Sequence, residues 1–127
     1  MTTVTTRAVL ERAIALGMAN YEAIADELLA DDHGREGWKK RQAEFLGAFP
    51  DNQWSIDALL ADDDRGAIQY TVTGTHTGQI ESLAPTGRQV TISGATFFRV
   101  AGGKVAETWA FPDRLALLKQ LGFHVAG

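Results

Sequence analysis

Residues 103–122 read GKVAETWAFPDRLALLKQLG, and this stretch holds a strand, a tight junction and a helix in close succession. The pattern predicts a strand over residues 105–111 and a short amphipathic helix over residues 113–121. Pro112 and Asp113 stand between the two elements. A carboxylate at such a junction is close to apolar and aromatic side chains, and surroundings of this kind suit a group that transfers protons.

The rest of the chain predicts three helices followed by three further strands. Apolar residues recur at helical spacing over about residues 7–16, 20–30 and 35–48. Alternation of apolar and polar residues then predicts strands over residues 54–60, 67–77 and 88–100. Helices followed by antiparallel strands are typical of an α+β fold, and a curved sheet can leave a pocket beneath the helices. We expect one domain over residues 1–127.

Alternation along a strand also predicts which side chains share a face. We expect one face of the first strand to carry four apolar residues: Trp54, Ile56, Ala58 and Leu60. We expect His76 to share a face with Tyr70, and Val105 to share one with Glu107, Trp109 and Phe111. Thr6 and Asn20 are the candidate caps of the first two helices.

Composition excludes several classes of function. The net charge is -4, which argues against nucleic-acid binding because that depends on Lys and Arg contacts to phosphate. The chain has no cysteine, which excludes disulfides, thiolate nucleophiles and cysteine-based metal sites. No apolar run has the length of a signal peptide or a membrane span. We therefore expect a cytoplasmic protein with no membrane or nucleic-acid partner.

Five short motifs stand in an order that resembles one protein family. They are Gly34-Arg35-Glu36-Gly37, Ala48-Phe49-Pro50-Asp51, Gly74-Thr75-His76-Thr77-Gly78, Pro85-Thr86-Gly87-Arg88 and Gly103-Lys104-Val105-Ala106-Glu107-Thr108-Trp109. Asp113 and Leu121-Gly122 follow them. Together they resemble the SnoaL-like proteins, which form the polyketide-cyclase branch of the nuclear-transport-factor-2-like superfamily. The resemblance covers most of residues 34–122.

The resemblance implies a cone-shaped, curved antiparallel sheet packed against N-terminal helices and enclosing a deep apolar pocket. It implies frequent homodimers, a small hydrophobic ligand, and chemistry without a cofactor or metal. The best-known members close a ring in a polyketide ester by intramolecular aldol condensation, and an aspartate near the end of the last strand is their acid/base. Asp113 is the position that fits. The chain departs from its relatives at residues 31–33, where they often have a longer segment containing a histidine.

Two residues are candidates for catalysis. Asp113 is predicted either to shuttle protons or to cap the last helix, and one residue can do both. His76 is predicted to hydrogen-bond a substrate carbonyl or to pair with Asp113, and a structural hydrogen bond is the alternative.

Six residues are candidates for substrate binding: Tyr70, Trp109, Glu107, Phe98, Trp38 and His33. Tyr70 can donate a hydrogen bond to an enolate oxygen. Glu107 needs a partner on an apolar face, and Arg88 or Arg99 can neutralise it. Trp38 fits the core between helix and sheet as well as it fits a binding site. Trp109 is predicted to lie in a pocket wall or in a dimer interface. His33 is the candidate remnant of the family histidine. It stands beside two aspartates, but no second histidine has metal-ligand spacing, so we predict no metal.

Three functions fit this sequence. The first is an acid/base enzyme that cyclises or isomerises a hydrophobic carbonyl compound. The second is a hydrolase or hydration enzyme acting on an epoxide, for which an Asp–Arg–Asp arrangement would be expected. The third is a binding or dimerisation module without catalysis.

Overall fold

A computed structural model describes residues 5–30 and 34–123 of the chain. It confirms the α+β class and the predicted order of elements. The helices in the described residues are α1 (Thr6–Leu16), α2 (Tyr21–Leu28), α3 (Arg35–Ala48) and α4 (Arg114–Gln120), with a short 3₁₀ turn at Met18–Asn20. The strands are β1 (Gln53–Ala61), β2 (Arg65–Thr75), β3 (Gln89–Ala101) and β4 (Lys104–Pro112). None of these helices is long and apolar enough to cross a membrane.

The four strands form one antiparallel sheet in the order β1-β2-β3-β4, and the sheet curls without closing into a barrel. The helices cover one face, which we call the inner face. We call the opposite face the outer face. The chain after α2 touches the free edge of β4, where Leu29 forms a single parallel bridge with Val105 and the Ala30 N–H donates to the Val105 carbonyl at 2.8 Å.

A register shift in β1 changes the predicted faces. The pairing of β1 with β2 shifts between Ile56 and Ala58, so the intervening residue breaks the alternation. Trp54 and Ile56 pair with inner-face residues, whereas Leu60 pairs with Ala67 on the outer face. The prediction that these apolar residues of β1 share one face is therefore wrong, because alternation along a single strand cannot show an extra residue.

A second shift lies between β3 and β4. Val105 pairs with Val100 and is buried. Glu107, two residues after Val105, pairs with Arg99, which is only one residue before Val100. Glu107 and Trp109 consequently lie on the outer face. The prediction that they share a face with Val105 is wrong for the same reason as in β1.

Two separate hydrophobic clusters cover the ends of the inner face. One joins α1 and α2 to Val100 and Val105, with Trp38 and Phe98 packed against it. The other joins the end of α3 and α4 to three strand residues, Val72, Val90 and Ile92. Since each cluster covers only one end, the middle of the inner face remains partly open.

The helix caps differ slightly from the predicted ones. Thr5, rather than Thr6, caps α1 by accepting a hydrogen bond from the Ala8 N–H at 3.0 Å. Thr6 is buried instead, and its hydroxyl donates to the Asp63 carbonyl. Asn20 does precede α2, but its side-chain amide donates to the Leu16 carbonyl rather than capping the helix.

Candidate active site

The candidate site is the open middle of the inner face, which we call the inner gap. Two rows of paired residues form its floor. One row contains Ile56, Tyr70, Gly94 and Pro112, and the next contains Leu59, Ile68, Thr96 and Ala110. Except for Ile68, these residues are at least partly exposed, in contrast to the clusters on either side. The inner gap is therefore a mainly apolar surface with a few polar groups, as small-molecule sites commonly are.

Tyr70 crosses the floor of the inner gap. Its ring packs against Trp54, with centroids 5.0 Å apart, and lies over Gly94. A Cβ atom at Gly94 would stand 2.5 Å from the Tyr70 hydroxyl oxygen and 3.0 Å from the Pro112 Cα atom. Glycine is thus the residue that lets the phenol reach the junction between β4 and α4. This close approach explains why position 94 is a glycine.

The Tyr70 hydroxyl is available to a ligand. It makes no hydrogen bond within residues 5–30 and 34–123. Burial raises the pKa of Tyr70 above its ordinary value, because the charged phenolate is poorly solvated there. The group is therefore a neutral hydrogen-bond donor at physiological pH.

Two threonine hydroxyls extend the polar part of the inner gap. Thr96 is paired with Ile68 and Thr108 with Phe98, which places both on the inner face. Neither hydroxyl has a hydrogen-bond partner in the described part of the chain. With Tyr70 they form a diagonal across β2, β3 and β4. Sequence reasoning missed both threonines, since their position beside Tyr70 depends on cross-strand register.

Asp113 directly follows Pro112, the last residue of the row that contains Tyr70. Its carboxylate accepts a hydrogen bond from the Ala116 N–H at 3.0 Å and caps α4. Its own backbone N–H donates to the Ser93 carbonyl at 3.0 Å, which attaches the junction to β3. The side chain is exposed. The capping role is therefore confirmed, and proton transfer by Asp113 stays a prediction.

His76 shares the inner face with Tyr70 but lies at the far end of the sheet. It is fully buried, with its ring centroid 5.4 Å from that of Phe49. Its Nδ1 atom accepts the Thr86 N–H at 3.2 Å and stands 3.1 Å from the Thr86 hydroxyl, so the neutral ring carries its hydrogen on Nε2. The predicted pairing with Asp113 is absent from the described residues. These bonds hold the connection between β2 and β3 against the sheet.

The other predicted binding residues are divided between the two faces. Trp38 and Phe98 border the inner gap as part of the α1–α2 cluster. Glu107 bonds Arg99 at 2.6 Å on the outer face, so the expected neutralising partner is confirmed. Trp109 is also on the outer face, and His33 lies outside the described residues. No group of three metal-ligating side chains occurs in residues 5–30 and 34–123.

Gly94→Ala is expected to destabilise the protein by about 1–3 kcal/mol, because the new methyl group would overlap the Tyr70 phenol and displace it. Urea denaturation followed by circular dichroism measures the effect. Gly47→Ala is the matched control: a Cβ there meets nothing within 4 Å, and alanine favours the helix by about 1 kcal/mol. Equal stability of the two variants would contradict the close approach of Tyr70 to Gly94.

The fold and the inner gap agree with the comparisons to known proteins. The sequence profile of the SnoaL-like polyketide cyclases matches residues 5–121, nearly the whole chain. The chain belongs to this family. As a SnoaL-like protein it shares its fold with many solved structures, although no protein of curated function matches it in sequence.

Three of these solved structures are similar to this chain over most of its length. AclR from Streptomyces galilaeus, a candidate hydroxylase, is 28% identical with a TM-score of 0.81, over 91% of this chain and 80% of AclR. A candidate SnoaL-like polyketide cyclase from Jannaschia sp. CCS1 is 20% identical with a TM-score of 0.84, over 98% of both chains. IdmH from Streptomyces antibioticus, a candidate polyketide cyclase, is 22% identical with a TM-score of 0.78, over 91% of this chain and 97% of IdmH.

Proposed function

We propose that this SnoaL-like protein catalyses acid/base chemistry on a hydrophobic carbonyl compound bound in the inner gap. The reaction is an intramolecular aldol ring closure or an isomerisation of a polyketide-like molecule. The observation that carries the proposal is the unbonded Tyr70 hydroxyl beside Pro112, next to the junction at which Asp113 is fixed. A carboxylate that can accept a proton thus follows directly after Pro112, the strand residue beside the neutral donor.

In the proposed reaction, the Asp113 carboxylate removes a proton from the carbon next to a substrate carbonyl. Tyr70 donates a hydrogen bond to the carbonyl oxygen as it gains negative charge, which stabilises the enolate. For ring closure, the enolate carbon forms a bond to a second carbonyl carbon of the same molecule, and the resulting alkoxide takes the proton back from Asp113. For isomerisation, the proton returns to a different carbon. Atoms and charge balance in both cases.

Thr96 and Thr108 have a positioning role in this proposal. Their free hydroxyls lie on the same face as Tyr70 and can bind further oxygen atoms of an extended substrate. Trp38 and Phe98 supply apolar contact at one border. His76 has no part in the reaction, because it is buried at the far end of the sheet and bonded to Thr86.

Epoxide hydration is less well supported by the arrangement around Asp113. The expected Asp–Arg–Asp set is not found in the described residues, since Arg99 bonds Glu107 on the outer face and the guanidinium of Arg88 packs against Gly122. A binding module without catalysis remains the contrasting function, and turnover separates the two.

Tyr70→Phe is expected to lower kcat/KM by about 10²-fold, because it removes one hydrogen bond to the developing enolate. The melting temperature should stay close to that of the wild type, since the ring still packs against Trp54. A panel of hydrophobic ketones and polyketide esters is screened first by thermal shift. Deuterium incorporation next to the carbonyl is then followed by mass spectrometry for compounds that bind.

The matched control for Tyr70→Phe is Tyr21→Phe, which removes the other tyrosine hydroxyl of the chain, at the start of α2. Full activity of Tyr70→Phe would exclude Tyr70 from enolate stabilisation. Binding without exchange or product formation in the wild type would favour the module without catalysis.

A further inference from the structure

The Tyr70 phenol depends on packing for its direction. No polar group in the described part of the chain bonds its hydroxyl, so no hydrogen bond there holds the ring at one angle. Gly94 leaves room for the ring but offers no side chain to hold it. Among the described residues, the aromatic ring that packs against Tyr70 is that of Trp54, with centroids 5.0 Å apart. The angle of the phenol therefore depends largely on the placement of the Trp54 ring.

Asn52 fixes the Trp54 ring through its side-chain amide. The Asn52 Oδ1 atom accepts the indole N–H of Trp54 at 2.8 Å, and the Asn52 Nδ2 atom donates to the Phe49 carbonyl at 2.7 Å. An indole N–H only donates and a carbonyl oxygen only accepts, so the amide satisfies both partners in one orientation only. Both bonds are partly shielded from water. The indole is thus held at its nitrogen while its ring packs against Tyr70.

The turn that carries Asn52 is itself attached to the sheet. It connects α3 to β1, and the Asn52 N–H donates to the Phe49 carbonyl at 3.0 Å. The neighbouring Asp51 carboxylate accepts both the N–H and the hydroxyl of Thr75 at 2.7 Å, at the end of β2. These two bonds lower the pKa of Asp51, so its carboxylate stays charged and bonded at physiological pH. Asn52 is therefore anchored to the same strand that carries Tyr70.

We propose that Asn52 is a positioning residue for the Tyr70 phenol and acts through the Trp54 ring. Loss of the Asn52 side chain leaves the indole N–H without its partner, and the ring turns to bond another group or water. The phenol then loses the surface that keeps its hydroxyl beside Pro112. Groups at a site must be held to within about 0.5 Å of their working positions, so such a supporting contact matters for the reaction.

The effect of Asn52 on the reaction rate rests on the proposed function, whereas its effect on the Tyr70 ring does not. If Tyr70 has no part in catalysis, Asn52 still fixes the angle of its ring through Trp54. That angle can be measured without a substrate. The two proposals can therefore fail separately.

The NMR signals of the Tyr70 ring report its position directly. The chain has two tyrosines, so isotope labelling of tyrosine rings gives two sets of signals, and Tyr21→Phe assigns them. The ring current of the Trp54 indole shifts the signals of a phenol 5.0 Å away. In Asn52→Ala this shift should shrink towards the value of an unpacked tyrosine, with a circular dichroism spectrum like that of the wild type. Unchanged Tyr70 signals in Asn52→Ala would overturn the proposal.

Two further variants separate the bond to Trp54 from the other bonds of Asn52. Asn52→Asp keeps an oxygen that accepts the indole N–H but loses the donor to the Phe49 carbonyl. It should keep the wild-type Tyr70 signals, and signals like those of Asn52→Ala would show that the route through Trp54 is wrong. Asn20→Ala is the matched control, because the Asn20 amide also donates to a backbone carbonyl but lies at the start of α2. It should leave the Tyr70 signals unchanged.

Turnover shows whether the position of the phenol matters for the reaction. Asn52→Ala is expected to lower kcat about tenfold, since a misplacement of about 1 Å can cost about 10²-fold and the phenol here is loosened rather than removed. In a Tyr70→Phe background the same change should have no further effect, because Asn52 acts through the hydroxyl that this background lacks. An equal loss in both backgrounds would overturn the positioning role. Full activity of Tyr70→Phe alone would instead overturn the proposed function and leave the NMR result for Asn52 intact.

Discussion

Asp113→Asn is expected to lower turnover by about 10²–10⁴-fold, the usual contribution of a positioned acid or base. The melting temperature should remain that of the wild type. Asparagine caps a helix as well as aspartate does, since its side-chain oxygen can still accept the Ala116 N–H. The substitution therefore removes the proton acceptor and retains the structural bond.

The rate is measured with a compound that the wild type converts, by product formation or deuterium exchange next to the carbonyl. Asp64→Asn is the matched control for loss of one negative charge, because Asp64 lies in the turn between β1 and β2. Asp113→Ala separates the two roles: it should lose the same activity and also about 1 kcal/mol of stability with the cap. Retained turnover in Asp113→Asn would remove the residue from the mechanism and leave it only as a helix cap.

Phe49→Ala is expected to reduce the free energy of unfolding by about 3–5 kcal/mol, as large-to-small changes in a closed core do. Phe49 is fully buried between α3 and the sheet. Its ring stands 5.0 Å from that of Phe45 and 5.4 Å from that of His76. A Cβ atom at Gly74 would stand only 2.9 Å from the Phe49 Cβ, so the glycine is what allows the backbone of β2 to approach this closely.

Urea denaturation of Phe49→Ala measures the loss, which is a large part of the stability of an ordinary domain. Phe123→Ala is the control, since Phe123 is exposed and its loss should cost less than about 1 kcal/mol. A loss of unfolding free energy below about 1 kcal/mol would contradict the inference that Phe49 is a main packing contact between the end of α3 and the sheet.

The order and type of the elements could be predicted from the sequence because local signals determine them. The period changes from helical to alternating after Pro50, and the turn signals at residues 62–66 and 101–103 mark the ends of strands. The structure places helices and strands within a few residues of the predicted bounds. The cap at Asp113 was one of two alternatives that the sequence left open, and it is confirmed.

The faces of β1 and β4 could not be predicted, because an extra residue in one strand is visible only against its partner. Asp57 and the shift near Arg99 each reverse the alternation that follows them. For the same reason, the diagonal of Tyr70, Thr96 and Thr108 could not be predicted from any single stretch of sequence, because the three residues lie on three different strands. The structural partner of His76 could not be predicted either, because Thr86 is ten residues away and reaches His76 only when the connection between β2 and β3 folds back.

The contact between Trp54 and Tyr70 gives the protein its own optical reporter. The Trp54 indole N–H donates to the Asn52 side chain at 2.8 Å, and its ring touches both Tyr70 and Phe45. Excitation energy transfers efficiently from a phenol to an indole when the ring centroids are 5.0 Å apart. A ligand that binds against Tyr70 should therefore alter the fluorescence emission of Trp54. Trp109 emits from the opposite side of the sheet beneath Arg65. Fluorescence from variants that keep one or the other tryptophan would therefore follow the two faces separately, without an attached dye.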